Sequence, residues 1–234
     1  MTRRIRTFVK GLDENLNGGI PEGFMVLIVG RPGTMKSSLA YYILYKNAQE
    51  KKTKGLYVTL EQSRASLIDN MTVLGMNPEP LGRYIGFVDL AMIRKTEQDG
   101  TTPQGAPKNW LETFKMYVQN IKQATGYELL VVDALPVLEL LAKVKDPREE
   151  LFHFLEWLRD MKITCFLIHE VGDSGSLAKN DEDFLVDGVL HLDLQRDANT
   201  VNLFLSVAKM RKTNHKRSYY PLIYDKNGFE IVTD

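Results

Sequence analysis

Lys36 and Ser37 end the stretch GRPGTMKS, which joins the apolar run FMVLIV to a segment of helical spacing. An ammonium group and a hydroxyl at a strand–turn–helix junction suit a polyphosphate. The first amides of a helix lack partners within it, and the helix dipole favours negative charge at that end. The lysine adds a full positive charge for the β- and γ-phosphates, and the serine a hydroxyl for Mg²⁺. The pattern G-x-x-x-x-G-K-[ST] assigns Gly30, Arg31, Pro32, Gly33, Thr34, Met35, Lys36, Ser37 and Ser38 to a phosphate loop. Met35 stands where the pattern has glycine. A positive φ there would cost about 1–2 kcal/mol, and a negative φ close to nothing. In both cases the backbone amide is kept, and the thioether side chain is flexible enough to fold aside. Phosphate binding is expected to survive.

Hydrolysis of a phosphoanhydride needs two further groups, a carboxylate for the metal and its water and a base to orient the attacking water. Asp133 follows four apolar residues in ELLVVDAL, the Walker B form, and is the expected metal-side acid. Glu61 ends LYVTLE and is the expected base. Carboxyl ends of strands in an open α/β sheet converge on the ligand crevice, which brings both acids towards the loop. Taken singly, each also reads as an ordinary acid at a strand end.

The elements that must position these groups alternate between buried strands and amphipathic helices. Strands are expected at 24–30, 55–61, 84–90, 127–135 and 163–170, with helices from Ser37, over SRASLIDNMTVLG, over WLETFKMYVQNIKQA and over DPREELFHFLEWLRDMK. The segment 94–109 has no large apolar residue and reads as a surface loop. Beyond residue 186 two alternating runs flank DANT and two more flank DKNG, the signature of hairpins. The expected fold is one α/β domain over 1–234, a mostly parallel sheet finished by antiparallel strands.

Composition narrows the partners. The chain has 234 residues, 44% of them apolar, and 30 basic residues balance 30 acidic ones, so no global field draws nucleic acid or an anionic membrane. Cys165 is the lone cysteine, which excludes an internal disulfide and suits a reducing cytoplasm. No 18-residue apolar stretch exists, so no membrane partner is expected. His153, His191 and His215 form no pair with ligand spacing, and Ser174 and Ser176 are read as loop residues.

Six segments, GLDENLNGGIPEG, GRPGTMKSS, VTLEQS, LLVVDAL, FLVDGVL and KMRKTNH, occur in the order found in KaiC-like ATPases of the RecA superfamily. The chain resembles a single KaiC domain along nearly its whole length. The resemblance implies a RecA-like P-loop core, ATP and Mg²⁺ as cofactors, Lys36 and Ser37 as the Walker A pair, Asp133 as the Walker B acid, and Glu61 as the first of two catalytic glutamates. Gln62 stands at the second and cannot take a proton, which implies slow turnover. Lys209 and Arg211 match basic residues that reach a neighbouring subunit's γ-phosphate, which implies a homo-oligomer, usually a hexameric ring, acting as a regulatory switch on a protein partner. His169 and Glu170 stand where related ATPases place a γ-phosphate sensor, and no role is assigned to them. Two alternatives compete with the switch: a single-stranded-DNA module built on the basic segment 209–217, and a nucleotide-binding regulator with negligible turnover.

Overall fold

The computed structural model describes residues 3–90, 110–142, 147–171, 182–197 and 200–233. A nine-stranded sheet runs through it. In chain order its strands are β3 (Met25–Gly30), β4 (Gly55–Thr59), β5 (Ile85–Asp89), β6 (Leu129–Asp133), β7 (Thr164–Glu170), β8 (Gly188–Asp197), β9 (Thr200–Met210), β10 (Tyr219–Asp225) and β11 (Gly228–Ile231). Their spatial order is β11-β10-β9-β8-β3-β7-β6-β4-β5. A small antiparallel pair, β1 (Arg4–Ile5) with β2 (Ile20–Pro21), precedes them.

The strand carrying the phosphate loop, β3, lies between β8 and β7 and is parallel to both. The β8 strand therefore corrects the expectation in one respect. It opens an antiparallel hairpin with β9, as the alternating pattern predicts, yet its other edge joins the parallel set as a sixth member. Only β9, β10 and β11 run antiparallel to their neighbours throughout.

Helices cover both faces. On one lies α2 (Lys36–Lys51), against Val26 and Ile28 of β3, Tyr57 of β4, Val131 of β6, and Phe166 and Ile168 of β7. On the other lie α4 (Trp110–Thr125) and α6 (Pro147–Asp160), whose Phe114, Val118, Phe154 and Leu158 meet Leu27, Val29, Leu56, Val58, Leu130, Val132 and Leu167. Strand side chains alternate between faces, so each parallel strand feeds both cores. On α2 the buried face is broad, with Ala40, Tyr41 and Leu44 buried beside Leu39, Tyr42 and Ile43. The α3 helix (Arg64–Val73) starts where Ser63 accepts the Ser66 amide and ends at Gly75, whose φ of 79° lets the Met76 amide reach back to the Met71 carbonyl. The expected strand 127–135 stops at Asp133, and α5 (Leu135–Ala142) follows it, a helix that the continuous apolar run conceals. The loop expected at 94–109, together with Ser174 and Ser176, lies outside the described residues. Among those described, no helix is long and apolar enough to cross a membrane.

The first family-like segment, residues 11–23, is built around a buried acid. Asp13, on the short helix α1 (Leu12–Asn15), accepts hydrogen bonds from the Thr7 amide and hydroxyl, both at 2.7 Å, from the Phe8 amide at 3.2 Å, and from Arg6 Nε at 3.1 Å. Gly19 follows at φ 122°, where a Cβ would come within 2.3 Å of the Ile5 carbonyl oxygen. Such donors lose their only good acceptor when the carboxylate is removed. Asp13→Ala is expected to lower unfolding free energy by about 2–3 kcal/mol in urea melts. A loss below about 0.5 kcal/mol would show that the acid is not needed to hold this segment.

Candidate functional site

The strand alternation decides which acids can meet Lys36. On β7, Phe166 and Ile168 face α2, so Glu170 faces it too. On β6 the same parity carries Val131 to Asp133, and on β4 it carries Tyr57 through Thr59 to Glu61. All three carboxylates leave the carboxyl ends of neighbouring strands on the α2 face. A cleft of about 250 Å³ lies there, lined by Pro32 to Ser38, Glu61, Asp133, Ala134, Ile168 and Glu170.

The loop itself is tightly closed. At Gly30 a Cβ would lie 2.5 Å from the Leu192 carbonyl oxygen and 2.6 Å from Thr34 Oγ1, so the first glycine of the pattern is required by β8 alongside and the loop above. Gly33 takes φ 84°. The Arg31 carbonyl accepts from the Thr34 hydroxyl at 2.8 Å and from Lys36 Nζ at 2.9 Å, which draws the lysine over the loop. Met35 is the N-cap of α2, with φ 61° and ψ 25°. The strained alternative is thus the one adopted. Its side chain packs against the apolar core under α2, which offsets part of the strain.

Around Lys36 the electrostatics are lopsided, with one ammonium group against three carboxylates. Burial lowers the lysine's proton affinity, while Glu170, Asp133 and Glu61, in that order of strength, raise it again. Asp133 is 3% exposed, and burial pushes its carboxyl above the usual range despite hydrogen bonds from Tyr57 and Ser37. The Tyr57 hydroxyl donates to Asp133 Oδ2 at 2.5 Å. Glu61 sits at the cleft's rim; partial burial raises its carboxyl, and the Asp133 charge adds to the effect. Among the described residues no three His, Cys, Asp or Glu side chains converge closely enough to hold a metal ion by themselves. The Ser37 hydroxyl, hydrogen-bonded to Asp133, could with it hold a divalent ion whose other ligands would come from a bound phosphate and water.

Not every expected residue reaches this cleft. Gln62 does not line it; its backbone carbonyl accepts from the Thr59 hydroxyl at 2.7 Å, and its side chain turns to Asn70 of α3. Lys209 and Arg211 lie at the far end of the sheet. Met210 pairs with Gly188 at the start of β8, whereas Leu192 pairs with Gly30, so strand geometry puts roughly 13 Å between the two ends. Tyr57 and Glu170 are the members that the sequence did not promote; alternation counted forward from Phe166 to Glu170 and back from Glu61 to Tyr57 is the signal that finds them.

A parallel sheet with a phosphate loop and an acid on a nearby strand defines a RecA-like P-loop protein. The family model for the KaiC ATPases matches residues 5–234, and the chain belongs to that family. It is 26% identical to the circadian clock protein KaiC2 of Synechocystis sp. over 97% of its own length and 39% of that protein's, so it spans about two fifths of this longer relative. A UPF0273 protein of Thermotoga maritima is 26% identical over 99% of this chain and 96% of its own. The crystal structure of the KaiC-like protein PH0186 from Pyrococcus horikoshii OT3 superposes with a TM-score of 0.84 at 28% identity, covering 100% of both chains.

The strain at Met35 gives a direct test of the loop. Met35→Gly is expected to stabilise the protein by no more than about 1 kcal/mol, because relief of φ is offset by the freedom glycine gains when unfolded. Affinity for Mg-ATP, titrated calorimetrically, should change by less than about ten-fold. A gain of several orders of magnitude would mean the loop as it stands is a degenerate phosphate site.

Proposed function

We propose that the chain is a slow, Mg²⁺-dependent ATPase whose sites are completed between copies of itself, acting as an oligomeric switch. The observation carrying this reading is the convergence of Lys36, Ser37, Asp133 and Glu61 on one cleft at the carboxyl ends of the parallel strands. Loop amides from Gly30 to Ser38 and the Lys36 ammonium group bind the β- and γ-phosphates. Ser37 and Asp133 would hold Mg²⁺, which would supply charge neutralisation for phosphate oxygens that the surplus of carboxylates otherwise repels. Tyr57 fixes the rotamer of Asp133 from below. Glu61, at the rim, accepts a hydrogen bond from the attacking water and orients it. Gln62, turned to α3, supplies no carboxylate next to Glu61 in the chain, in keeping with slow turnover.

Lys209 and Arg211 are too far from their own cleft to act there. Their place at the opposite end of the sheet supports action on the cleft of a neighbouring copy, where a guanidinium stabilises charge on the transferring phosphoryl. By family analogy the assembly is a hexameric ring, and nucleotide state would govern its interfaces and so its protein partner.

Two measurements test this. As a base, Glu61 acts only when ionised, and its raised proton affinity moves the loss of activity upward in pH. Turnover should be flat near neutrality and fall, on acidification, through a range above that of an ordinary carboxylate. Glu61→Gln should reduce kcat about a hundred-fold at pH 7, and equal rates would remove Glu61 from the chemistry. In the second, inactive Lys36→Ala and Arg211→Ala subunits are mixed. Recovery of activity is expected, since some interfaces combine an intact loop with an intact arginine; no recovery at any ratio would confine each site to one chain.

A further inference from the structure

The corner that holds Lys209 and Arg211 is more elaborate than a solvated basic turn. A short helix, α7 (Glu182–Leu185), ends against it, and its last carbonyls serve as acceptors. Lys209 Nζ donates to the Asp183 carbonyl at 2.7 Å and to the Phe184 carbonyl at 3.3 Å. Arg211 Nη2 donates to the same Phe184 carbonyl at 3.3 Å, and Nη1 to Asp187 Oδ1 at 3.1 Å. Arg159 reaches the Leu185 carbonyl and comes within 3.8 Å of the same carboxylate oxygen.

Asp187 is fixed from three directions. Its Oδ2 accepts the Met25 amide at 3.1 Å, its own amide donates to the Met25 carbonyl at 2.9 Å, and its carbonyl accepts the Arg211 amide at 2.9 Å. Its side chain is 14% exposed, against 49% for Arg211. A half-exposed guanidinium is thus pinned by a carboxylate that is itself held in place. The first residue of the phosphate-loop strand, Met25, is what holds that carboxylate still. Each cation keeps N–H donors beyond those used here, since a guanidinium has five and an ammonium three.

We infer that Asp187 is the positioning residue for Arg211, holding its guanidinium, with Lys209 beside it on the α7 carbonyls, preset for the phosphate oxygens of a second copy's nucleotide. The inference rests on the reading that Arg211 acts on a neighbouring cleft. Its physical basis is preorganisation: donors already fixed in place need no rearrangement when charge develops on the phosphoryl group. Fixing a long side chain in advance also removes the rotamer entropy it would otherwise lose on contact.

The test compares steady-state ATP turnover of the assembled protein for wild type, Asp187→Asn, Arg211→Ala, Arg211→Lys and the double variant Asp187→Asn/Arg211→Ala. Asparagine keeps an oxygen for the Met25 amide and loses the charge that holds the arginine. Asp187→Asn should lower kcat about ten-fold, with KM for Mg-ATP within about two-fold of wild type. On the Arg211→Ala background the same change should cost nothing further, because the group it positions is gone. Arg211→Lys should fall as far as Arg211→Ala, since one ammonium group cannot span both the Asp187 carboxylate and the Phe184 carbonyl. Wild-type turnover in Asp187→Asn beside an impaired Arg211→Ala would overturn this inference alone, as would losses that multiply in the double variant. Wild-type turnover in Arg211→Ala would overturn the reading beneath it and this inference together. Should Asp187→Asn fail to fold, Arg211→Lys decides, and full activity there would mean that charge without positioning suffices.

Discussion

Side chains on a strand alternate, and that two-residue period sets the composition of the cleft. Phe166, Val131 and Tyr57 are committed to the core under α2, so Glu170, Asp133 and Glu61 are committed to the space above Lys36. A slip of one residue in any of these strands would exchange an acid for an apolar neighbour and expose part of the core, so the register is held by burial rather than by the acids. The acids gain nothing from this. They are mutually repulsive, two of them are shifted towards the neutral form, and one lysine cannot balance them. Such a surplus of negative charge suits the proposed Mg-nucleotide, a ligand that arrives with its own cation.

Met35 illustrates how the scaffold carries a local cost. The left-handed backbone at the helix start is demanded by the turn of the loop, and glycine would adopt it freely. Methionine adopts it with strain, and its side chain finds partial compensation in the core beside α2. Gly30 has no such latitude, because the carbonyl of Leu192 and the hydroxyl of Thr34 leave no room for a single extra carbon. Of the pattern's two glycines, the one retained is limited by space and the one replaced by torsion, and only the second kind of limit can be offset by packing.

Much of this was legible in the sequence because it is local. Asp133 and Glu61 each end an apolar run, the mark of the carboxyl end of a buried strand, and Lys36 and Ser37 end the short turn that follows another such run. What escaped is relational. Glu170 ends its strand in the same way, but its place in the cleft depends on β7 inserting between β3 and β6, an order that no local pattern encodes. The parallel edge of β8 was hidden for the same reason, since a hairpin signal describes one partner of a strand and not the other. The α5 helix is hidden because apolar residues resume directly after Asp133, with no run of loop residues between strand and helix to announce a new element.

The distance between the phosphate loop and the Lys209–Arg211 corner has a geometrical consequence. If copies of the chain join through these two surfaces head to tail, as in the proposed ring, the assembly has polarity. Any open stack leaves a cleft without a donor at one terminus and a donor without a cleft at the other. Only closure of such a stack on itself would give every cleft the same complement of groups, and uniform turnover would then belong to the closed assembly rather than to the chain.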